Sequence, residues 1–549
     1  MKRINNISLL LFFGVFALGS CKKTTLETQN LNQPSYSVLE NENGMYAYAK
    51  GFYKIGFGDQ GVGSLDDGLG YGMLLIVQGM HEGMGDNIFV PWGNNNFKFL
   101  DNPLWVKLDN GTKVNNPIGQ GQIYEGKLRN ARAYGATNQF LPEWTYMYFL
   151  NNSANVLLSK VDGITFSGDA ATKKKILQAW AYWWKGYAYS RIGSMYIAGV
   201  IAETPNSTNG TFVDRTAMIT EANKNFDKAV TLLTGLTSGG DYDEVLKQII
   251  PGYMQPAKYG GIPTPAGWVK NINTMKARNL LVNKKASDMT AADWAQILTL
   301  TNAGLTGPTD YPFLVKTFTD NSKSIFDKDY GSAGSYAATD DPTYYPSERL
   351  IQDYKVGDKR KANNFDLRTS AVINIRGRGI TFGTRYYLVD GGNANGAYTY
   401  FDFAIGATDY FIAGTYEENM LMKAEALMNT SQIDAGVAII DAIRTYQGAG
   451  ISSGAGLTLV QAKEELRKER RCALFLRGLA WYDLRRLGMN LSVDEGGTGR
   501  SGCVVLDANG AVNTNCQINY AYLTYWDVPQ NELDFNAPAS GSAPIKSPK

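Results

Sequence analysis

The chain has 549 residues, 44% apolar, 12% aromatic and 19% charged, which is ample material for a large buried core and excludes a disordered chain. Its 53 Lys and Arg nearly balance 51 Asp and Glu. No basic block stands out, which argues against nucleic acid or an anionic membrane surface as a partner, because both need concentrated cations.

Lys2 and Arg3 precede an apolar run from Ile7 to Leu18 and then Leu18-Gly19-Ser20-Cys21. The run is too short to span a bilayer as a permanent helix and ends in small residues before a cysteine, the layout of a secretory signal. Residues 1–20 are therefore expected to leave; without Lys2 and Arg3, 51 cations face 51 anions. The tetrapeptide resembles a bacterial lipobox, with Gly-Ser where Ser-Gly or Ala-Gly is commonest, and implies acylation of Cys21 as the first mature residue. An ordinary signal with an incidental cysteine fits the same residues. Residues 21–40 read as a lipidated tether and 41–549 as a single folded domain.

Paired amphipathic helices dominate the body, over about 144–305 and 415–490. From Ile176, the residues Trp180, Trp183, Tyr187, Ile192 and Met195 follow three- and four-residue steps, which places them near one helix face. Ala222, Phe226, Ala229, Val230 and Leu233 repeat the pattern after a long connection, Ala198 to Ile219. Thr415 with Glu418 reads as a capping box opening a helix through Leu427, and Ala435, Ile439, Ala442, Ile443 and Tyr446 form its partner. Thr458 with Gln461 opens a long helix expected to run through Leu466, Ala473, Trp481 and Leu484. Ala222-x3-Phe226-x2-Ala229 and Ala435-x3-Ile439-x2-Ala442 share one spacing, small residues allowing close approach and the large one filling the groove. Tyr182, Gly186 and Tyr189 lie near the Trp, Gly and Tyr places of a tetratricopeptide repeat. The predicted class is mainly α: a tetratricopeptide-like superhelix of helical pairs with long irregular loops and minor β structure. The loops cover about 56–118, 251–274 and 306–412, and Val372–Ile375 and Tyr386–Val389 supply a little sheet.

Catalytic motifs are absent. His81 is the single histidine, and no Gly-x-Ser-x-Gly elbow accompanies it; a packed or solvated role is expected. Asp66-Asp67 and Asp340-Asp341 read as turn and cap residues, although two acids suffice for glycoside hydrolysis at the right separation. No Walker loop, dinucleotide fingerprint or EF-hand loop occurs, so no cofactor or metal is expected, and a structural calcium ion among the loop acids stays open. Cys472 sits in a helical pattern as a small buried residue. Cys503 and Cys516 flank a Gly/Asn-rich turn and can form a local disulfide in an exported chain.

Sugar rings offer apolar C–H faces rimmed by hydroxyls, so a glycan site needs flat aromatic platforms edged by amide or charged groups. Trp92-Gly93-Asn94-Asn95-Asn96-Phe97 supplies both within one loop, with Tyr71, Asp86 and Trp105 close in sequence. Tyr311, Phe313, Tyr330, Tyr336, Tyr344 and Tyr345 form a second aromatic stretch that could build the opposing wall; of these Tyr311, Tyr336 and Tyr344 are the expected contacts. A Trp92 packed under its own turn fits the same sequence. Trp180, Trp183 and Trp184 are expected in helix packing.

Glu465-Leu466-Arg467-Lys468-Glu469-Arg470-Arg471, continuing to Gly478-Leu479-Ala480-Trp481-Tyr482-Asp483-Leu484-Arg485-Arg486, resembles the Glu-Arg-Arg helix and Trp-x-Asp-Leu-x-Arg ending of the SusD/RagB family. Trp526 to Leu533 is similar to that family's Pro-x-x-Glu ending. Trp144–Leu158, Glu348-Arg349-Leu350, Asp358-Lys359-Arg360 and Tyr416–Asn429 match in order, so the resemblance covers almost the whole mature chain. It implies a non-catalytic outer-membrane lipoprotein that captures an oligosaccharide or polysaccharide for a SusC-like TonB-dependent transporter, anchored by its N-terminal lipid and facing the exterior. It favours Trp92 and Asn95 or Asn96 as sugar contacts. A RagB-like peptide binder and, further off, an exported glycoside hydrolase are the alternatives. Charges spaced as in Glu469, Arg470, Arg471, Asp483, Arg485 and Arg486 read as a structural ion-pair set.

Overall fold

A computed structural model describes residues 39–54, 76–89, 99–117, 119, 121–207, 209–316, 334–335, 344–373, 383–393, 395–402, 404 and 406–548. The expected signal, Cys21 and tether lie outside these residues.

The N-terminal part contributes α1 (Glu42–Gly51), α2 (Gln78–Met84), β1 (Ile88–Phe89), β2 (Trp105–Lys107), β3 (Lys113–Asn115) and α3 (Gln122–Arg129). The helical frame follows: α4 (Leu141–Val161), α5 (Ala170–Met195), the hairpin β4 (Ala198–Val200) and β5 (Phe212–Asp214), α6 (Arg215–Leu233), α7 (Gly240–Ile249), α8 (Pro265–Val282) and α9 (Ala291–Asn302). A mixed stretch carries β6 (Phe313–Lys316), β7 (Gly334–Ser335), β8 (Tyr345–Pro346), α10 (Glu348–Asp353), α11 (Lys359–Asn364), β9 (Phe365–Val372), β10 (Thr384–Val389) and β11 (Asp409–Ala413). The chain closes with α12 (Tyr416–Asn429), α13 (Ile433–Tyr446), α14 (Leu459–Ala473), α15 (Ala480–Arg486), β12 (Arg500–Leu506), β13 (Val512–Asn519) and α16 (Gln530–Leu533).

The helices stack as successive pairs: α4 on α5, α5 on α6, α6 on α8, α8 on α9, α9 on α12, and α12 on α13, with α14 against both of the last two. α5 is central. It is apolar around most of its circumference and correspondingly buried, as expected of a helix with neighbours on several sides. Trp180, Trp183 and Trp184 all lie in the core, and Trp183 stacks on Phe313 with ring centroids 3.9 Å apart. Their indoles need partners once buried: Trp180 donates to the Ala49 carbonyl (3.0 Å) and Trp183 to Asn271 (3.2 Å).

Gly186 meets α6 where the repeat spacing expects a small residue: an added Cβ would sit 2.6 Å from the Phe226 ring. Ala222, Phe226 and Ala229 all face this contact in the core. The matching reading of α13 is one residue out of register. Ala435 and Ala442 are exposed, and the packed face is Gly436, Ile440 and Ile443, which keeps the same x3, x2 spacing. Gly436 is the small residue there, because a Cβ would approach the Ala424 carbonyl to 2.7 Å.

Caps set most boundaries. Thr458 and Gln461 form the expected reciprocal box. Thr415 accepts from the Glu418 amide, but the Glu418 carboxylate turns away to grip Arg278 through two 2.5 Å bonds. Asp214 caps α6, so the long connection after Ala198 contains a hairpin and the helix begins at Arg215. Thr264 caps α8 at Pro265, inside a stretch expected to be irregular. The single helix expected from Leu459 through Leu484 is two. Leu476 (φ 61°) and Gly478 (φ 67°) reverse the chain between α14 and α15. A leucine in that conformation is costly, and it is held by Gln78, which donates to the Leu476 carbonyl (2.6 Å), and by Glu82, which accepts from the Gly478 amide (2.8 Å).

Three consecutive residues of α14 tie distant segments together. Glu469 accepts from Arg360 (2.6 Å) and Arg444 (2.8 Å). Arg470 and Arg486 share Asp483 (2.8 and 2.7 Å), and Arg486 also holds Glu425 on α12. Arg471 reaches Asp353 (2.6 Å) and Asn87 (2.9 Å). Arg485 uses carbonyls instead, donating to Ser194 (2.5 Å) and Val282 (2.9 Å) in the last turns of α5 and α8. Both helices thereby find a cation for their orphan carbonyls and negative dipole ends. The expected structural role of this charged set is what these contacts show.

Burial would raise the Asp86 carboxyl, but Arg349, hydrogen-bonded to it at 2.7 Å, and the more distant Arg471 and Arg500 hold it down to about 2. Burial wins at Glu82, which is pushed up to about 7 despite accepting from Asn87 and Gly478.

β13 pairs with both β12 and β2, and β2 with β3, so the C-terminal hairpin completes a four-stranded sheet begun near residue 105. Cys503 and Cys516 are direct cross-strand partners in that hairpin, both buried thiols.

Two outcomes are expected. Gly186→Ala should destabilise by about 1–3 kcal/mol in urea unfolding, because a 2.6 Å approach to Phe226 outweighs the roughly 1 kcal/mol helix-propensity gain; adding Phe226→Leu should restore part of the loss. Asp86→Asn leaves Arg349 without its charge partner and should cost about 3 kcal/mol at pH 7. Because the folded value lies below the ordinary 3.8, that contribution is complete above pH 3.8 and drains away as pH falls through about 2. The gap between wild type and variant in acid titrations should close over that window.

Candidate functional site

Tyr71, Trp92, Asn94, Asn95, Asn96 and Tyr336 lie outside the described residues. Three other expected contacts are corrected by the structure. Trp105 is 8% exposed, inserted in the four-stranded sheet between Asn519 and Asn115, with Lys113 Nζ 4.6 Å from its ring centroid. Tyr311, 3% exposed, packs edge-on against Phe313. Tyr344, 2% exposed, occupies space left by Gly79, where a Cβ would stand 2.6 Å from the phenol oxygen. Each ring is worth more to the core than to solvent, since burying an aromatic removes a large apolar area from water.

A cleft of about 830 Å³ opens beside that sheet. Leu104 enters it just before β2, Asn116 just after β3, and Tyr124, Lys127 and Leu128 project from α3. Tyr520 lies on its inner side and donates to Asp86 at 2.7 Å, which couples the cleft to the arginine network behind it. Tyr124 is 54% exposed; among the described residues, it and Phe535 are the exposed aromatic rings. Phe535 lies under the Arg132 guanidinium, whereas Tyr124 stands in the cleft.

Tyr124 and Leu128 are four residues apart, hence neighbours on one face of α3, while Ile123 packs toward the core. Gly119 (φ 86°) passes close by the ring, where a Cβ would lie 3.3 Å away; its backbone conformation is one an L side chain avoids. Lys127 donates to the Ser547 carbonyl (3.1 Å), which draws the C-terminal segment to the rim. The sequence signal for this cleft is a short, charge-bearing helix, Gln122–Arg129, with a Tyr/Leu pair one turn apart. It was outweighed by the richer aromatic runs.

The cleft can stack a flat apolar face on Tyr124 and contact it along Leu104 and Leu128, with Lys127 and Asn116 at the side. His81 is elsewhere, fully buried, with Nε2 2.9 Å from Glu143. Burial lowers its pKa against the raising effect of Glu143, and Glu143 is itself held by Arg191 at 2.5 Å. This is a packed, hydrogen-bonded histidine, and the ion pair at this spot is that of Glu143 with Arg191. Among the described residues, no group of His, Cys, Asp and Glu is arranged to hold a metal, and no helix is long and apolar enough to cross a membrane.

No protein-family model matches the chain, and no curated protein matches it in sequence. Solved structures do. A SusD-like carbohydrate-binding protein from Bacteroides fragilis aligns over 91% of this chain and 99% of its own, with TM-score 0.56 and 14% identity. A second SusD-like protein from that organism aligns over 90% and 94%, with TM-score 0.53 and 13% identity. A SusD superfamily protein from Bacteroides thetaiotaomicron aligns over 90% and 97%, with TM-score 0.52 and 12% identity. With its stacked helical pairs, central aromatic helix and coverage of nearly the full length of these structures, the chain has the SusD-like fold.

Proposed function

We propose that the protein is a non-catalytic, glycan-binding lipoprotein of the outer membrane, anchored through Cys21. It captures oligosaccharide at the cell surface and passes it to a SusC-like TonB-dependent transporter. The observation that carries the binding reading is the solvent-facing Tyr124 ring in an open cleft, on a fold shared with a structure named as a carbohydrate-binding protein. Stacking on a phenol ring suits the C–H face of a sugar. Trp92 to Asn96, which lie outside the described residues, carry aromatic and amide groups shortly before Leu104 in the chain.

Affinity gels and calorimetry against a polysaccharide panel test this directly. A retained glycan should lose about fivefold in affinity with Tyr124→Ala, the equivalent of roughly 1 kcal/mol of stacking. Binding that survives Tyr124→Ala but fails in Trp92→Ala would move the contact to the loop. Retention of peptides and no glycan would overturn the sugar reading in favour of a peptide binder, and release of reducing ends would overturn the non-catalytic one.

An exported chain enters an oxidising compartment, and Cys503 faces Cys516 across its hairpin. Protein purified from the native envelope should therefore gain the mass of two hydrogens on reduction.

A further inference from the structure

Behind the turn at Gly85, the end of α14, one side of α15 and the start of β12 line a partly open cavity of about 30 Å³. Arg467, Arg470, Arg471, Arg486 and Arg500 line it, with Asp483 as the one carboxylate among the lining residues.

Among the described residues the arginines around it outnumber the fully ionised acids, because Glu82, buried near Arg471, is pushed up to about 7 and is only partly charged at neutral pH. Including Arg349, six arginines share four buried carboxylates, Asp86, Asp353, Glu425 and Asp483. Glu464 adds a fifth from a side chain that is 48% exposed. Asp353 serves three of the arginines at once. The other acids of α14, Glu465 and Glu469, are already taken by Lys355, Arg360 and Arg444. A guanidinium cannot shed its proton to relieve this surplus, and buried charges are ordinarily paired.

One donor shows where compensation belongs. Arg470 gives its Nε hydrogen to Asp483 (2.8 Å), while its Nη1 is buried without a hydrogen-bond partner. A cavity of about 30 Å³ exceeds the ~10–15 Å³ that admits one water-sized occupant. Water would accept a hydrogen bond but leave the positive charge standing; a halide does both.

We propose that this cavity binds a chloride-sized monovalent anion, held by Arg470, as a structural ion that neutralises the core of the arginine network. The site is separate from the cleft and does not depend on the glycan reading.

Crystals of the protein soaked in sodium bromide, measured at the bromine absorption edge, test it. The expected result is an anomalous peak in the cavity beside Arg470, together with a melting temperature about 1–3 °C higher in sodium chloride than in sodium gluconate of equal ionic strength. Arg470→Met should abolish that chloride dependence, and Arg470→Lys, which keeps the charge, should retain part of it. Absence of a bromide peak from the wild-type cavity would overturn the proposal, whether or not the variants fold.

Discussion

Buried guanidinium groups must be matched, and the arrangement of the second half of the chain follows from that requirement. Arginine stays charged at any pH the folded protein meets, so each one taken into the core demands carboxylates or carbonyls at fixed geometry. Glu469, Arg470 and Arg471 leave α14 in different directions: Glu469 fastens α11 with α13, Arg470 meets Asp483 on α15, whose Arg486 in turn holds α12, and Arg471 joins the turn at residues 86–87 with α10. Within these pairs the segments lie from tens to hundreds of residues apart in the chain. Removing one partner strands a charge in low dielectric, so the network resists piecemeal loosening even where its net contribution to stability is small.

The same constraint reaches the surface. Asp86 is gripped by Arg349 and also accepts from Tyr520 on the inner side of the cleft. The cleft is thus backed by a charged lattice on one side and by the four-stranded sheet on the other. A binding surface gains from such backing, because rings held in place by a rigid frame pay less ordering entropy when a ligand arrives.

The helical frame rests on a different force. α5 buries aromatic rings on nearly every side, and its neighbours approach closely where Gly186 meets Phe226. Arg485 joins the two systems, closing the C-terminal ends of α5 and α8 with one side chain. Trp526 does similar work at the C-terminal end of the chain: its amide donates to the Met195 carbonyl at 2.9 Å, and its ring stacks on Phe140.

Local chemistry was sufficient to place the main helices of the pairs: three- and four-residue apolar steps and the caps at Thr415 and Thr458 are written in adjacent residues, and so is the coarse class of paired helices, whereas α2, α10, α11 and the start of α8 fall in stretches that read as irregular. What the sequence left undecided depended on distant partners. The packed face of α13 shifted to Gly436 because Ala424 and Met428 stand opposite it, and neighbouring apolar residues on a helix look alike until that opposition is known. The break after Ala473 required Gln78 and Glu82 to stabilise a left-handed leucine. Trp105, Tyr311 and Tyr344 have the composition of sugar platforms but lie inside, since an aromatic ring serves a core as well as a ligand and only tertiary packing assigns it. Tyr124 was left in solvent by that same packing: of two chemically equivalent rings, the one that finds no partner on folding is the one that stays available to bind.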